Sequence, residues 1–179
     1  MEILILNTII PLFHCNKEEI LEELLNKRLV ISRHQDDADW GGEGMYFWDN
    51  KANANYWKSI KGGNTGIIKC YISFDDENEL LDLTDLEHER RIDKLIKLVS
   101  KQKKYPSLAM GSRGKKIDFY CDKLGIKLVK FFAKYPHTPN TDLISSNSSS
   151  KKERLTNQIK AIYCIKKGND SLFQIVCKM

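Results

Sequence analysis

The run Gly44-Met45-Tyr46-Phe47-Trp48 constrains the fold most. It is a short apolar stretch set between the polar, glycine-rich residues 32–43 and the turn-forming pair Asp49-Asn50. A run of that length, rich in aromatics and bounded by such residues, is a strand. It hands over at once to a helix, because Asn50 is placed to cap a segment reaching Ile60, where Gly62-Gly63 stops it. The rest of the chain has to supply a sheet for this strand to join.

The other strands are scattered, not interleaved regularly with helices. Ile9 to His14 reads as a buried strand, Gly66 to Phe74 as a second clear one, and Leu80 to Thr84 as a short extended segment. Ile126 to Phe132, Gln158 to Ile165 and Leu172 to Cys177 follow, the last two turning at Gly168-Asn169. A helix is expected after Asn16, which would cap it with Glu19 completing a capping box. A second opens at Asp85 with Leu86, Ile92, Leu95, Ile96 and Val99 on one stripe, and Lys101 to Lys104 in its last turn suit the helix dipole. A third covers Ile117 to Leu124 and ends at Gly125. Residues 105–116 and 136–157 read as loops, the latter holding the serine-rich run 145–150. This order predicts an α+β fold with a split, mixed, largely antiparallel β-sheet and flanking helices, in preference to a doubly wound sheet. With 179 residues, a single domain over 1–179 is expected.

Composition excludes several classes of function. The apolar N-terminal run carries Glu2 and no basic residue before Phe13, so it has neither the basic start of a secretory signal nor the length of a membrane span. Five widely spaced cysteines form no Cys-x-x-Cys pair, and the four histidines fall into no pattern with them. Reduced thiols in a cytoplasmic protein without metal are the simplest account. Asp36, Asp37 and Asp39 lack the glycine and distal glutamate of a calcium loop and read as a solvated acidic loop. Charge is distributed unevenly: residues 1–97 carry 12 Lys/Arg against 19 Asp/Glu, and residues 98–179 carry 17 against 5. The basic half would attract nucleic acid or an acidic protein. Lys101, Lys103, Lys104, Arg113, Lys115 and Lys116 cluster around one expected loop and are the candidate phosphate contacts.

Two features point to a small-molecule pocket. His14 closes the first strand, and Tyr46 lies on the Gly44–Trp48 strand whose following helix carries Tyr56 and Trp57. Two aromatic faces with an imidazole beside them suit a flat cationic ring such as nicotinamide, which makes NAD the first ligand to consider. Each residue also has a plain structural account: His14 as a core histidine, and the aromatics as a packed strand and helix face.

Taken together, three motifs resemble the ADP-ribosyltransferase superfamily of the diphtheria-toxin and poly(ADP-ribose) polymerase type, defined by a His-Tyr-Glu triad. They are Leu12-Phe13-His14-Cys15, then Gly42-Glu43-Gly44-Met45-Tyr46-Phe47-Trp48-Asp49 with Asn53-Ala54-Asn55-Tyr56, and Asn157-Gln158-Ile159-Lys160-Ala161-Ile162-Tyr163. The second motif with Leu81-Asp82-Leu83-Thr84-Asp85 is similar to small bacterial and phage members linked to toxin–antitoxin and phage-defence settings. The resemblance implies that His14 orients NAD through the adenosine-side ribose and that the backbone at Cys15 grips the carboxamide. It further implies that Tyr46 stacks on the nicotinamide with Tyr56 or Trp57 opposite, and that Asn53 stands where a serine often contacts the same carboxamide.

Gln158 occupies the place of the catalytic glutamate. A carboxylate there would stabilise the developing oxocarbenium ion and serve as a base; glutamine keeps the shape without charge or basicity. Elongation to poly(ADP-ribose) is therefore not expected, and Glu153 is a fallback carboxylate. The resulting expectation is NAD-dependent mono-ADP-ribosyl transfer to a macromolecule, nucleic acid before protein, in a toxin or phage-defence role with an antitoxin partner. The alternatives are a non-catalytic module binding NAD, ADP-ribose or a partner, and an NAD glycohydrolase.

Overall fold

The computed structural model describes residues 7–32, 40–102, 105, 107–108, 110–139, 144 and 156–179. His34, Asp36, Asp37, Asp39, Lys103, Lys104, the serine run 145–150 and Glu153 lie outside the described residues. The elements in order are β1 (Thr8–Lys17), α1 (Glu18–Leu25), β2 (Gly44–Trp48), α2 (Lys51–Lys61), β3 (Thr65–Phe74), β4 (Leu80–Asp82), α3 (Leu86–Ser100), α4 (Arg113–Leu124), β5 (Leu128–Lys134), β6 (Ile159–Lys166) and β7 (Phe173–Lys178). The fold is α+β, as expected, with a seven-stranded sheet ordered β4-β5-β6-β2-β1-β3-β7. Every pairing is antiparallel except that of β4 with β5.

One join in the sheet is weak. β1 pairs with β3 along its whole length, from Thr8 opposite Phe74 to Lys17 opposite Thr65. β1 meets β2, by contrast, only at Phe13 opposite Trp48. The two strands part on either side of that point, so the sheet is two blocks joined at a pinch.

Three buried clusters hold the blocks. Leu21 and Leu24 of α1 pack with Leu12, Met45, Phe47, Ile68 and Ile72. Ile92 and Ile96 of α3 and Ile117 of α4 pack with Leu81, Val129 and Cys164. Under α2, Ala54 meets Phe13, Cys15, Trp48 and Ile162. Period-2 alternation along β2 sends Met45 and Phe47 to the first cluster and Tyr46 and Trp48 to the other side.

The helix starts match expectation at α2 and α3 and differ at α1 and α4. Asn50 caps α2 by accepting from the Asn53 amide, and Asp85 caps α3 by accepting from the Glu87 amide. Asn16 caps nothing: β1 runs on to Lys17, which precedes α1 without a side-chain cap. The capping-box spacing misled because Asn16 is pulled into bonds with its strand neighbours and α2. α4 begins at Arg113, capped by Ser112, so Arg113, Lys115 and Lys116 stand on a helical first turn and not in a loop. α3 stops at Ser100, leaving Lys97 as its last-turn base, and Leu86 is 65% exposed instead of on the buried stripe.

Candidate functional site

The pinch opens into a cleft of about 960 Å³ that passes between the two blocks of the sheet. His14, Phe47 and Ile20 line it on the α1 side, and Tyr46, Trp57 and Tyr135 on the α2 side. Its size is at the upper end of the roughly 300–1,000 Å³ usual for ligand pockets.

His14 spans the gap. Its Nδ1–H donates to the Tyr46 carbonyl at 2.7 Å, doing in side-chain form what a ladder bond does where the strands are closer. That fixes the tautomer, so Nε2 accepts from Asn16 Nδ2 at 3.2 Å. Asn16 Oδ1 in turn accepts from Lys61 Nζ at 2.6 Å. Strand alternation explains the first link, since His14 and Asn16 share a face of β1. Burial pushes the His14 pKa down to about 4, with Lys61 adding to the effect and the bond to the Tyr46 carbonyl opposing it. The imidazole is therefore a neutral hydrogen-bonding bridge, not a cation, at neutral pH.

The sign of the resulting pH dependence is set by that direction. Between pH 6.5 and 4 the unfolded chain binds a proton at His14 that the folded chain refuses, so stability is full above 6.5 and falls toward 4. The expected loss from this group is about 3 kcal/mol over that window. Chemical denaturation at pH 7 and pH 4.5 should show a larger drop for the wild type than for His14→Asn.

The outer lip of the cleft, Trp40 to Glu43, is clamped from behind. Lys166, buried on β6, reaches the Gly41 carbonyl at 3.0 Å and Asp118 Oδ1 at 2.5 Å. The Asp118 carboxylate also accepts the Glu43 amide at 2.9 Å and 3.1 Å. Burial opposes the charge on Lys166, but neighbouring Cys164 and Asp118 keep its pKa above the ordinary value. The Tyr46 hydroxyl donates to the Gly42 carbonyl, which ties the aromatic wall to the same lip. Gly42 has φ +83, and a Cβ there would lie 2.2 Å from Asp118 Oδ1. Gly42→Ala is expected to cost about 2 kcal/mol or more, read as a lower denaturation midpoint.

The expected site residues are distributed as follows. His14, Cys15, Tyr46 and Trp57 all line the cleft. Burial pushes the Cys15 thiol up, against the pull of the Thr65 hydroxyl, Lys61 and Lys58, so it is not a nucleophile at neutral pH. Tyr56 is not in the cleft lining; it abuts Tyr135 edge-on, with Lys160 above its ring. The Asn53 side chain donates to Asp49 Oδ1 at 2.9 Å and also lies outside the lining. Gln158 sits just before β6, where its side-chain Nε2 donates to the Pro136 carbonyl at 3.2 Å and its backbone carbonyl accepts from the Tyr135 amide at 2.7 Å. It thus borders Tyr135 without lining the cleft. Lys101 is the exposed C-cap of α3, and Lys115 is exposed on α4.

Three wall residues escaped the sequence reading. Trp40 contacts Tyr46, Phe131 and Tyr135 edge-on. Tyr135 sits among Trp48, Trp57 and Tyr56, and burial pushes its hydroxyl well above its ordinary range. Lys61 closes α2 as one of its last-turn bases, a position that reads as dipole compensation alone. Among the described residues no group of three or more His, Cys, Asp or Glu is placed to hold a metal ion. No helix of the described residues is long and apolar enough to cross a membrane.

Comparison with known proteins adds one distant likeness. The chain is 27% identical over 99 residues to a protein of Methanocaldococcus jannaschii described only as uncharacterized; the match takes in 51% of this chain and 45% of that protein. The chain therefore spans about half the length of this relative. No protein-family model and no solved structure matches the chain.

Proposed function

We propose that the chain is an NAD-dependent mono-ADP-ribosyltransferase of the His-Tyr-Glu type that modifies a macromolecule, in a toxin or phage-defence role with a neutralising partner. The observation that carries this reading is the meeting of His14, Tyr46 and Trp57 on one cleft at the pinch of the sheet. Tyr46 and Trp57 offer aromatic faces for nicotinamide, with Trp57 taking the role that sequence spacing left open between it and Tyr56. Neutral His14 holds the Tyr46 carbonyl in place and so sets the position of the aromatic wall. Lys61 brings positive charge to the cleft, which suits a dinucleotide diphosphate. In transfer, the bond from the nicotinamide nitrogen to the ribose breaks, nicotinamide leaves with the bonding pair, and an acceptor nucleophile bonds to the ribose carbon.

Gln158 favours a second reading, a module that binds NAD or ADP-ribose without transfer. Its amide is neutral and already engaged by Pro136. Release of nicotinamide from NAD labelled in the adenylate phosphate separates the two, measured alone and with nucleic acid or lysate. Label moving to a macromolecule supports transfer, free ADP-ribose indicates glycohydrolysis, and saturable binding without release indicates the module. Gln158→Ala removes the bond to Pro136 beside Tyr135, a contact of about 1 kcal/mol, and is expected to lower the rate of a transferase about fivefold.

A further inference from the structure

A second cleft, of about 620 Å³, lies between α3, α4 and the free end of β5. It shares Trp40 with the first cleft, so the two meet at that ring. We infer that this second cleft seats a single-stranded nucleic acid, and that under the proposed function the strand lying there is the acceptor.

Its walls combine what such a ligand needs. Arg113, Lys116 and Lys134 bring positive charge from α4 and β5, while Trp40 and Phe131 present aromatic surface. Cations that track a backbone beside aromatic surfaces for bases are the recurring form of single-strand sites. The cleft has room for one or two nucleotides and none for a duplex, so only a strand with its bases splayed can enter.

The placement of charge on α4 supports an anion as occupant. Its first turn holds no acidic residue, and Arg113, Lys115 and Lys116 put positive charge at the positive end of the helix dipole. That arrangement opposes the usual preference of a helix start for negative side chains and favours an anion beside it.

The carboxylates in the cleft distinguish a nucleic acid from an acidic peptide. Asp93 is paired with Lys97 at 2.5 Å, which leaves Glu89 as the acidic side chain facing the space. A carboxylate repels phosphates and acidic side chains alike, but it accepts hydrogen bonds from the exocyclic amino group of a base, a donor that an acidic side chain lacks. The edge of β5 beyond Lys130 would also receive an extended peptide, because β4 pairs only as far as that residue. A peptide is therefore the rival occupant.

The test is fluorescence anisotropy with labelled twelve-nucleotide strands of DNA and of RNA, at several salt concentrations and without NAD. The wild type should bind, with a slope of log K against log salt near −2 for three phosphate contacts at about −0.7 each. Lys116→Glu with Lys134→Glu should weaken binding at least tenfold and bring that slope to about −1 or shallower. Lys123→Glu, an exposed cation at the other end of α4, should leave both unchanged. The DNA and RNA arms identify which strand is preferred, and binding by either supports the inference. Equal loss in the Lys123→Glu protein, equal affinity for duplex, or equal competition by a polyglutamate peptide overturns it. Because NAD is absent, strand binding with these properties stands even if nicotinamide is never released. Nicotinamide release by a protein that binds no strand leaves the donor reading intact and removes this one.

Discussion

Asp118→Ala should lower the stability of the fold by about 3 kcal/mol, because it strands the Lys166 ammonium in the interior. Lys166 Nζ has Asp118 and the Gly41 carbonyl as partners, and its side chain is only 8% exposed. Removing the carboxylate also frees the Glu43 amide, so the lip that carries Trp40 loses its anchor. Replacing both partners by apolar residues of similar volume, Asp118→Leu with Lys166→Met, should recover most of the loss, since no buried charge then remains. Urea denaturation of the two single variants and the double gives the answer through the coupling energy. A pair that contributes nothing would show additive losses. The recovered double variant should still bind ligand less well than the wild type, because the Gly41 carbonyl and Glu43 amide remain unanchored.

Tyr46→Ala is the substitution expected to change function most. Its ring forms part of the cleft wall against Trp40 and Phe131, and its hydroxyl holds the Gly42 carbonyl. Loss of the ring removes one aromatic face for nicotinamide and releases the lip together, so the reacting atoms lose their alignment. Misplacement on that scale costs about a hundredfold in rate. Nicotinamide release should therefore fall by that factor or more. The His14 bond would survive, because it is made to the Tyr46 backbone carbonyl and not to the side chain. An unchanged rate in a folded Tyr46→Ala protein would show that the chemistry is elsewhere. Near-ultraviolet circular dichroism on the same sample guards against reading unfolding as lost catalysis.

Elements governed by local rules were legible in the sequence. Asn50 and Asp85 cap the helices they precede, Gly125 ends α4 in the left-handed conformation, and β2 matches its expected bounds. Asn16 obeyed the same local rule and was misleading, because a strand neighbour and a lysine in α2 compete for its amide. The basic first turn of α4 was hidden for a related reason: charge there runs against the dipole preference by which helix starts are recognised. His14, Tyr46 and Trp57 were found by motif, yet the walls beside them were not. Trp40 and Tyr135 belong to the site only through pairings across the sheet, which no spacing along the chain encodes. The Lys166–Asp118 clamp is equally silent, since its partners lie 48 residues apart and each reads as surface charge.

The narrow join between β1 and β2 also bears on how the molecule comes apart. The pinch is bridged by side chains on both faces, since Met45 and Phe47 share the cluster under α1 with Leu12 and Ile68, and Trp48 and Ile162 share the one under α2 with Phe13 and Cys15. Backbone pairing thins at that border while apolar contact continues across it, so amides of β1 and β2 that face the cleft should exchange before those of the β1–β3 ladder. The cleft lies on that border, with His14 as its crossbar. A molecule bound there touches β1 and β2 together, so it acts as a rivet: its binding energy is spent on holding the sheet closed at its thinnest seam.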